Sequence, residues 1–131
     1  MENGLTVEKK NMLSLVKDND LGNLIKLLQH EILLFDSYIA GTTNIKDESV
    51  FDDLRRGQKL TLQREPDNRF DERSIIVLDG QGRKLGYIPE KDNEVFARLM
   101  DAGKYLIARA GYCDMDSAFR RINISIFLVD F

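Results

Sequence analysis

Apolar residues recur along this chain with two different periods, and the change from one to the other falls near residue 33. Before it, the spacing is helical. Thr6 can cap a first helix carrying Met12, Leu13 and Val16, and the polar stretch Lys17-Asp18-Asn19-Asp20 breaks it. Leu21, Leu24, Ile25, Leu27, Leu28 and Ile32 then form a wide apolar stripe, which predicts a helical extension over residues 6–33. Such a stripe must be buried, against the rest of the chain or against a partner. His30 falls at its end and reads as a cap or surface residue.

After it, short runs rich in β-branched and aromatic residues alternate with turn residues. They predict strands at 34–40, 59–65, 74–78, 84–88, 105–112 and 123–131. Asp79-Gly80-Gln81-Gly82 predicts a tight hairpin, since glycine supplies the positive φ such turns need. Residues 90–102 suit one inserted helix. Pro89 pre-sets its first turn, Val95, Phe96, Leu99 and Met100 share a face, and Gly103 ends it. A further short helical turn fits near Val50, Phe51 and Leu54.

Most gaps between strands are too short for the crossovers that parallel sheets require. The expected class is therefore α+β, mainly β: a small OB-like or SH3-like barrel of about six strands with one inserted helix and a helical N-terminal extension. Two regions follow, an extension over 1–33 and a barrel domain over 34–131. At 131 residues the chain suffices for one such core and not comfortably for two.

Composition narrows the chemistry. One cysteine, Cys113, excludes an internal disulfide and suggests a reducing compartment. One cysteine and one histidine cannot supply a tetrahedral zinc site of the usual Cys/His type; a carboxylate-bound cation stays open, but no spacing resembles a calcium loop, and the expectation is no metal or other cofactor. No apolar run approaches the ~18 residues that span a bilayer, and Met1 to Lys10 has no apolar signal region. These features suggest a cytoplasmic protein without a membrane partner. The net charge of −3 argues against sequence-independent clamping of long duplexes. Residues 51–91 nevertheless hold nine Lys/Arg against eight Asp/Glu, so the basic residues are richest mid-chain. A Ser/His/Asp or Cys/His constellation is hard to assemble from a single histidine, and no phosphate-cradling Walker loop is present, which points away from an enzyme.

One segment is more specific. Leu62-Gln63-Arg64-Glu65-Pro66-Asp67-Asn68-Arg69-Phe70-Asp71-Glu72-Arg73-Ser74-Ile75-Ile76-Val77 is followed by Gly82-Arg83-Lys84-Leu85-Gly86-Tyr87-Ile88-Pro89, and preceded by Tyr38-Ile39-Ala40-Gly41. This resembles the HIRAN family, whose signature runs REP-x-N-x-[YF]-D-x-x-[AS]-[IV] and then G-[YH]-[IL]-P before a helix. The resemblance covers about three quarters of the chain. It implies a modified OB-like barrel that grips the 3′ end of single-stranded DNA, in repair or replication-fork processing. The matching positions are Tyr38, Asn68, Phe70, Asp71 and Tyr87, with an aromatic near Tyr112. Ser37 and Glu90 stand where relatives often carry a basic residue, which lowers the positive charge of the rim.

The chemistry is coherent on its own terms. Phe70, Tyr38 and Tyr112 can stack on unpaired bases, at roughly 1–3 kcal/mol per base. An ionised Asp71 can accept from a terminal hydroxyl and repels a terminal phosphate. Asn68 can contact phosphate or brace its loop, while Arg64, Arg69 and Lys91 can neutralise penultimate phosphates. Arg120-Arg121 reads as a solvated charge pair. The competing reading is a protein-interaction or regulatory domain that forms a homodimer or docks a partner through residues 6–33.

Overall fold

In the computed structural model, residues 29–114 and 120–130 are described, and Glu31–Val129 form one compact unit. The expected helices over 6–28 lie outside the described residues. Six strands, β1 (His30–Tyr38), β2 (Lys59–Arg64), β3 (Ile75–Leu78), β4 (Lys84–Tyr87), β5 (Leu106–Asp114) and β6 (Arg121–Asp130), and one helix, α1 (Asn93–Asp101), account for most of it. The strands form an antiparallel sheet in the order β1-β6-β5-β2-β3-β4.

The alternation in β6 shows why these segments are strands. Ile122, Ile124 and Ile126 point into the core, while Arg121, Asn123 and Ser125 face out. Leu60 and Leu62 of β2 and Leu106, Ala108 and Ala110 of β5 complete the same inner layer. Between β5 and β6 the register slips: Ala110 pairs with Ile124 but Cys113 with Ile122. Gly111 and Tyr112 thus oppose Asn123 alone, a bulge that re-aims the side chains around it.

The sheet does not close as a continuous ladder. Its two edges meet at one bridge, where Ala40 N–H donates to Tyr87 O at 2.8 Å and Tyr87 N–H to Ala40 O at 2.9 Å. Gly86 permits this approach: its φ is +155°, and a Cβ there would lie 2.3 Å from Ala40 O. The architecture is OB-like but open, where a barrel was expected.

Three other differences from expectation have local causes. Residues 30–33 are strand, not helix, because the apolar run Ile32-Leu33-Leu34-Phe35 continues directly into the strand that pairs with β6. The Arg109 guanidinium grips Glu31 at 2.7 and 2.8 Å and keeps that carboxyl below its ordinary range, pinning the strand's beginning. In α1, Val95 is 62% exposed and Ala97 takes its place beside Phe96 in the core. The 79–82 hairpin depends on Asp79 as much as on glycine. Its buried carboxylate accepts from the N–H groups of Gln81 and Arg83 at 2.9 and 2.8 Å, and from Arg83 Nε at 2.7 Å.

α1 ends as its sequence predicts. Gly103, at φ +92°, and Lys104 donate back to Met100 O and Leu99 O, both at 3.0 Å. Between β1 and β2, short 3₁₀ turns at Thr42–Asn44 and Glu48–Phe51 place Val50 and Phe51 in the core.

Candidate nucleic-acid interface

The loop joining β2 to β3 is held from within. Asn68 donates through Nδ2 to Glu65 Oε1 at 2.5 Å, and its Oδ1 accepts from the N–H groups of Phe70 and Asp71 at 2.8 and 3.1 Å. Asn68 is therefore the brace of the loop. Arg64 ties the loop's base to α1: its guanidinium donates to Asp101 at 2.9 and 3.2 Å, to Ser74 O at 2.7 Å and to Glu72 O at 2.8 Å. Arg69 stands exposed.

This bracing presents Phe70 outward with 95% of its surface exposed, a large apolar ring held in water by an ordered loop. Beside it, Asp71 Oδ1 accepts from Arg73 N–H at 2.9 Å and Oδ2 from Asn93 Nδ2 at 2.7 Å. An ionised carboxylate has about four lone-pair sites, so roughly two stay available. The donor Asn93 is only 2% exposed, which fixes the acid's orientation.

Tyr38, at the end of β1, forms the wall between two clefts of about 410 and 550 Å³. Lys91 Nζ lies 5.4 Å and the Arg121 guanidinium 5.2 Å from the centre of its ring. Neither cation pairs with a carboxylate among the described residues. The smaller cleft also holds Asp36 and Asp92, whose carboxylates accept from Ser125 and Ser37 hydroxyls at 2.6 and 3.0 Å.

The turn before α1 joins the loop to these clefts. Lys91 lies over Tyr38, Asp92 accepts from Ser37 beside it, and Asn93 donates to Asp71. Three consecutive side chains thus organise the two halves of one surface. Tyr87 connects through its backbone bridge to Ala40, while Lys84 covers its ring at 4.1 Å and donates to its hydroxyl. Tyr112, 64% exposed, projects from the β5 bulge next to Gly111, which lines the smaller cleft. Arg64 and Arg69 are not drawn to Tyr38; Arg64 lines a separate depression with Arg73, Arg98 and Asp101.

The sequence reads Arg120 and Arg121 as a solvated charge pair, and the structure sets both at the lining of the larger cleft. The signal for this was the isoleucine alternation of β6, which puts Arg121 on the outer face with Asn123 and Ser125. Arg120 stacks over Phe51 at 4.5 Å and pairs with Glu48 at 3.5 Å. Among the described residues no cluster of His, Cys, Asp or Glu could hold a metal ion, and no helix is long and apolar enough to cross a membrane.

An open OB-like sheet with an aromatic loop beside a basic cleft is the architecture of a small binding domain. The family model of the HIRAN domain matches residues 32–129, and the chain belongs to that family of nucleic-acid-binding domains. Among solved structures, a protein from Lactobacillus plantarum is 27% identical, with a TM-score of 0.74 over 79% of this chain and 99% of that one. The HIRAN domain of human HLTF is 17% identical, with a TM-score of 0.61 over 76% of this chain and 78% of that one, a likeness of fold. No curated protein matches the chain.

Proposed function

We propose that this chain is a binding module, not a catalyst, that holds the 3′-hydroxyl end of single-stranded DNA, with a role in repair or replication-fork processing inside the cell. The observation that carries this reading is the turn Lys91-Asp92-Asn93, which ties an oriented carboxylate, next in sequence to the exposed Phe70 ring, and a cation-flanked tyrosine to one helix start. Phe70 offers a face to the terminal base, Asp71 accepts from the terminal hydroxyl, and Lys91 and Arg121 face the phosphates that follow. Membership of the HIRAN family supports nucleic acid as the ligand.

Fluorescence anisotropy with short oligonucleotides bearing 3′-hydroxyl or 3′-phosphate ends tests the assignment. The hydroxyl end should bind more tightly. Asp71→Asn, which removes the charge but keeps an acceptor for Arg73 N–H, should erase that preference. Phe70→Ala should weaken both ligands roughly five- to 150-fold, the loss of one stacked base. Equal affinity for the two ends, or no binding at high micromolar protein, sinks the reading.

The exposed apolar run Ile32, Leu33, Leu34 and Phe35 on edge strand β1 supports a second reading, self-association through that edge. Light scattering over a concentration series decides it, and a monomer throughout would dismiss it.

A further inference from the structure

The two clefts beside Tyr38 differ in charge. The smaller holds two carboxylates with Lys91 and Arg121, whereas the larger is lined by three cations, two threonines and no carboxylate, although Glu48, outside the lining, pairs with one of those cations, Arg120, at 3.5 Å. We propose that the larger cleft is a seat for an inboard phosphate of the strand, with Arg121 its principal ligand and Arg120 its support. The proposal rests on the end-binding reading above and extends it: the ligand is a single strand of at least three nucleotides, recognised at its end and again at a phosphodiester further in.

The cleft is organised before any ligand arrives. Thr42, buried beneath it, donates from its hydroxyl to Arg120 O at 3.1 Å and so fixes the backbone entering β6. The Arg120 guanidinium lies on Phe51, so its rotamer is largely set. Gly41 lines the cleft at φ +74°, a conformation that glycine adopts without strain. Arg121, like Lys91, borders both clefts beside the Tyr38 ring, so a backbone passing from one cleft to the other runs past both charges. Acids in one cleft and none in the other separate the sugar end from the phosphates, because carboxylates repel phosphate and accept from hydroxyls.

The test compares the full chain with Arg121→Gln, using octathymidylates with free 3′-hydroxyls. One is unmodified and the others carry a single uncharged methylphosphonate at the first, second or third linkage from the 3′ end. Arg121→Gln should weaken the unmodified strand about tenfold at low salt. It should also reduce the salt slope by about 0.7, the signature of one lost phosphate contact on a single strand. A neutral linkage at the seated position, either the second or the third, should leave the substitution no further effect; with a neutral first linkage, its full effect should persist. Lys104→Gln, past the C-terminus of α1, should change nothing and controls for net charge.

A loss that is equal for every modified strand, or an unchanged salt slope, overturns the seat. If the wild-type chain binds the octamer and distinguishes its 3′ ends while Arg121→Gln is silent, only this inference falls. If the wild-type chain binds no octamer at all, the end-binding reading falls and takes this one with it.

Discussion

Replacing Gly86 by alanine attacks the single point where the two edges of the sheet meet. The new Cβ would lie 2.3 Å from Ala40 O and 2.6 Å from Ile39 Cγ2, and neither is the end of a flexible side chain. The chain must part at the Ala40–Tyr87 bridge, or Gly86 must leave its φ of +155°. Parting removes two backbone hydrogen bonds, worth about 1 kcal/mol net each. Holding an L-residue near that φ adds a strain of order 1–3 kcal/mol. The expected loss is about 3–5 kcal/mol, a large part of the roughly 5–15 kcal/mol that stabilises a domain. The chain has no tryptophan, so urea unfolding is best followed by far-UV circular dichroism. The midpoint should fall by about 2 M with an unchanged m value. Because the bridge lies two residues beyond Tyr38, the variant should also bind oligonucleotides more weakly in dilute urea. A loss below about 1 kcal/mol would refute the claim that this contact holds the sheet's edges together.

Three further outcomes follow from Asp79 and the partly buried Cys113. Asp79→Ala strips the 79–82 hairpin of three acceptor contacts and should destabilise by about 2–4 kcal/mol in urea titrations. Burial pushes the Asp79 carboxyl up, but hydrogen bonds from Arg83 and Gln81 outweigh it and hold the group below the ordinary aspartate range. Its contribution is thus complete above that range and fades as pH falls through the lowered value, so the gap between wild type and Asp79→Asn should narrow only in acid. Burial raises the Cys113 thiol above its usual pKa, so maleimide at pH 8 should label it several-fold more slowly than free cysteine; an equal rate would contradict that environment.

The strands were legible because burial imposes a period of two, and the inner face of β6 shows it without interruption from Ile122 to Ile126. α1 was legible through its ends, Pro89 before it and Gly103 after it. Its buried face was less so, since Ala97 carries little hydrophobic signal and Val95 carries much while facing solvent. The run from Ile32 misled for a related reason: four consecutive apolar residues satisfy a helical stripe and a strand equally, and only pairing with β6 decides between them. In the candidate site, the loop residues Asn68, Phe70 and Asp71 were found through their motif, but what each bonds was not. Whether Asp71 meets Asn93, or Arg64 meets Asp101, depends on how the β2–β3 loop and α1 come together across more than twenty residues of sequence. The position of Arg121 was illegible for the same reason: it comes to Tyr38 only once β6 is set beside β1.

That placement bears on how a protein of net charge −3 can bind a polyanion at all. Its net charge gives it no long-range attraction, and several of its cations are committed elsewhere: Arg64 to Asp101, Arg83 to Asp79 and Asp53, Arg109 to Glu31. Lys91 and Arg121, which pair with no carboxylate among the described residues, share the Tyr38 ring and border a cleft whose lining holds no acid. A protein whose acids outnumber its bases gains little net attraction from each additional phosphate along a duplex. It gains most from a ligand whose chemistry changes over a short distance, from an unpaired base and a hydroxyl to the first phosphates. A strand end has that sequence of groups and the middle of a duplex does not. The shortage of positive charge is therefore consistent with selectivity for ends, since it removes the sequence-independent attraction that would compete with it.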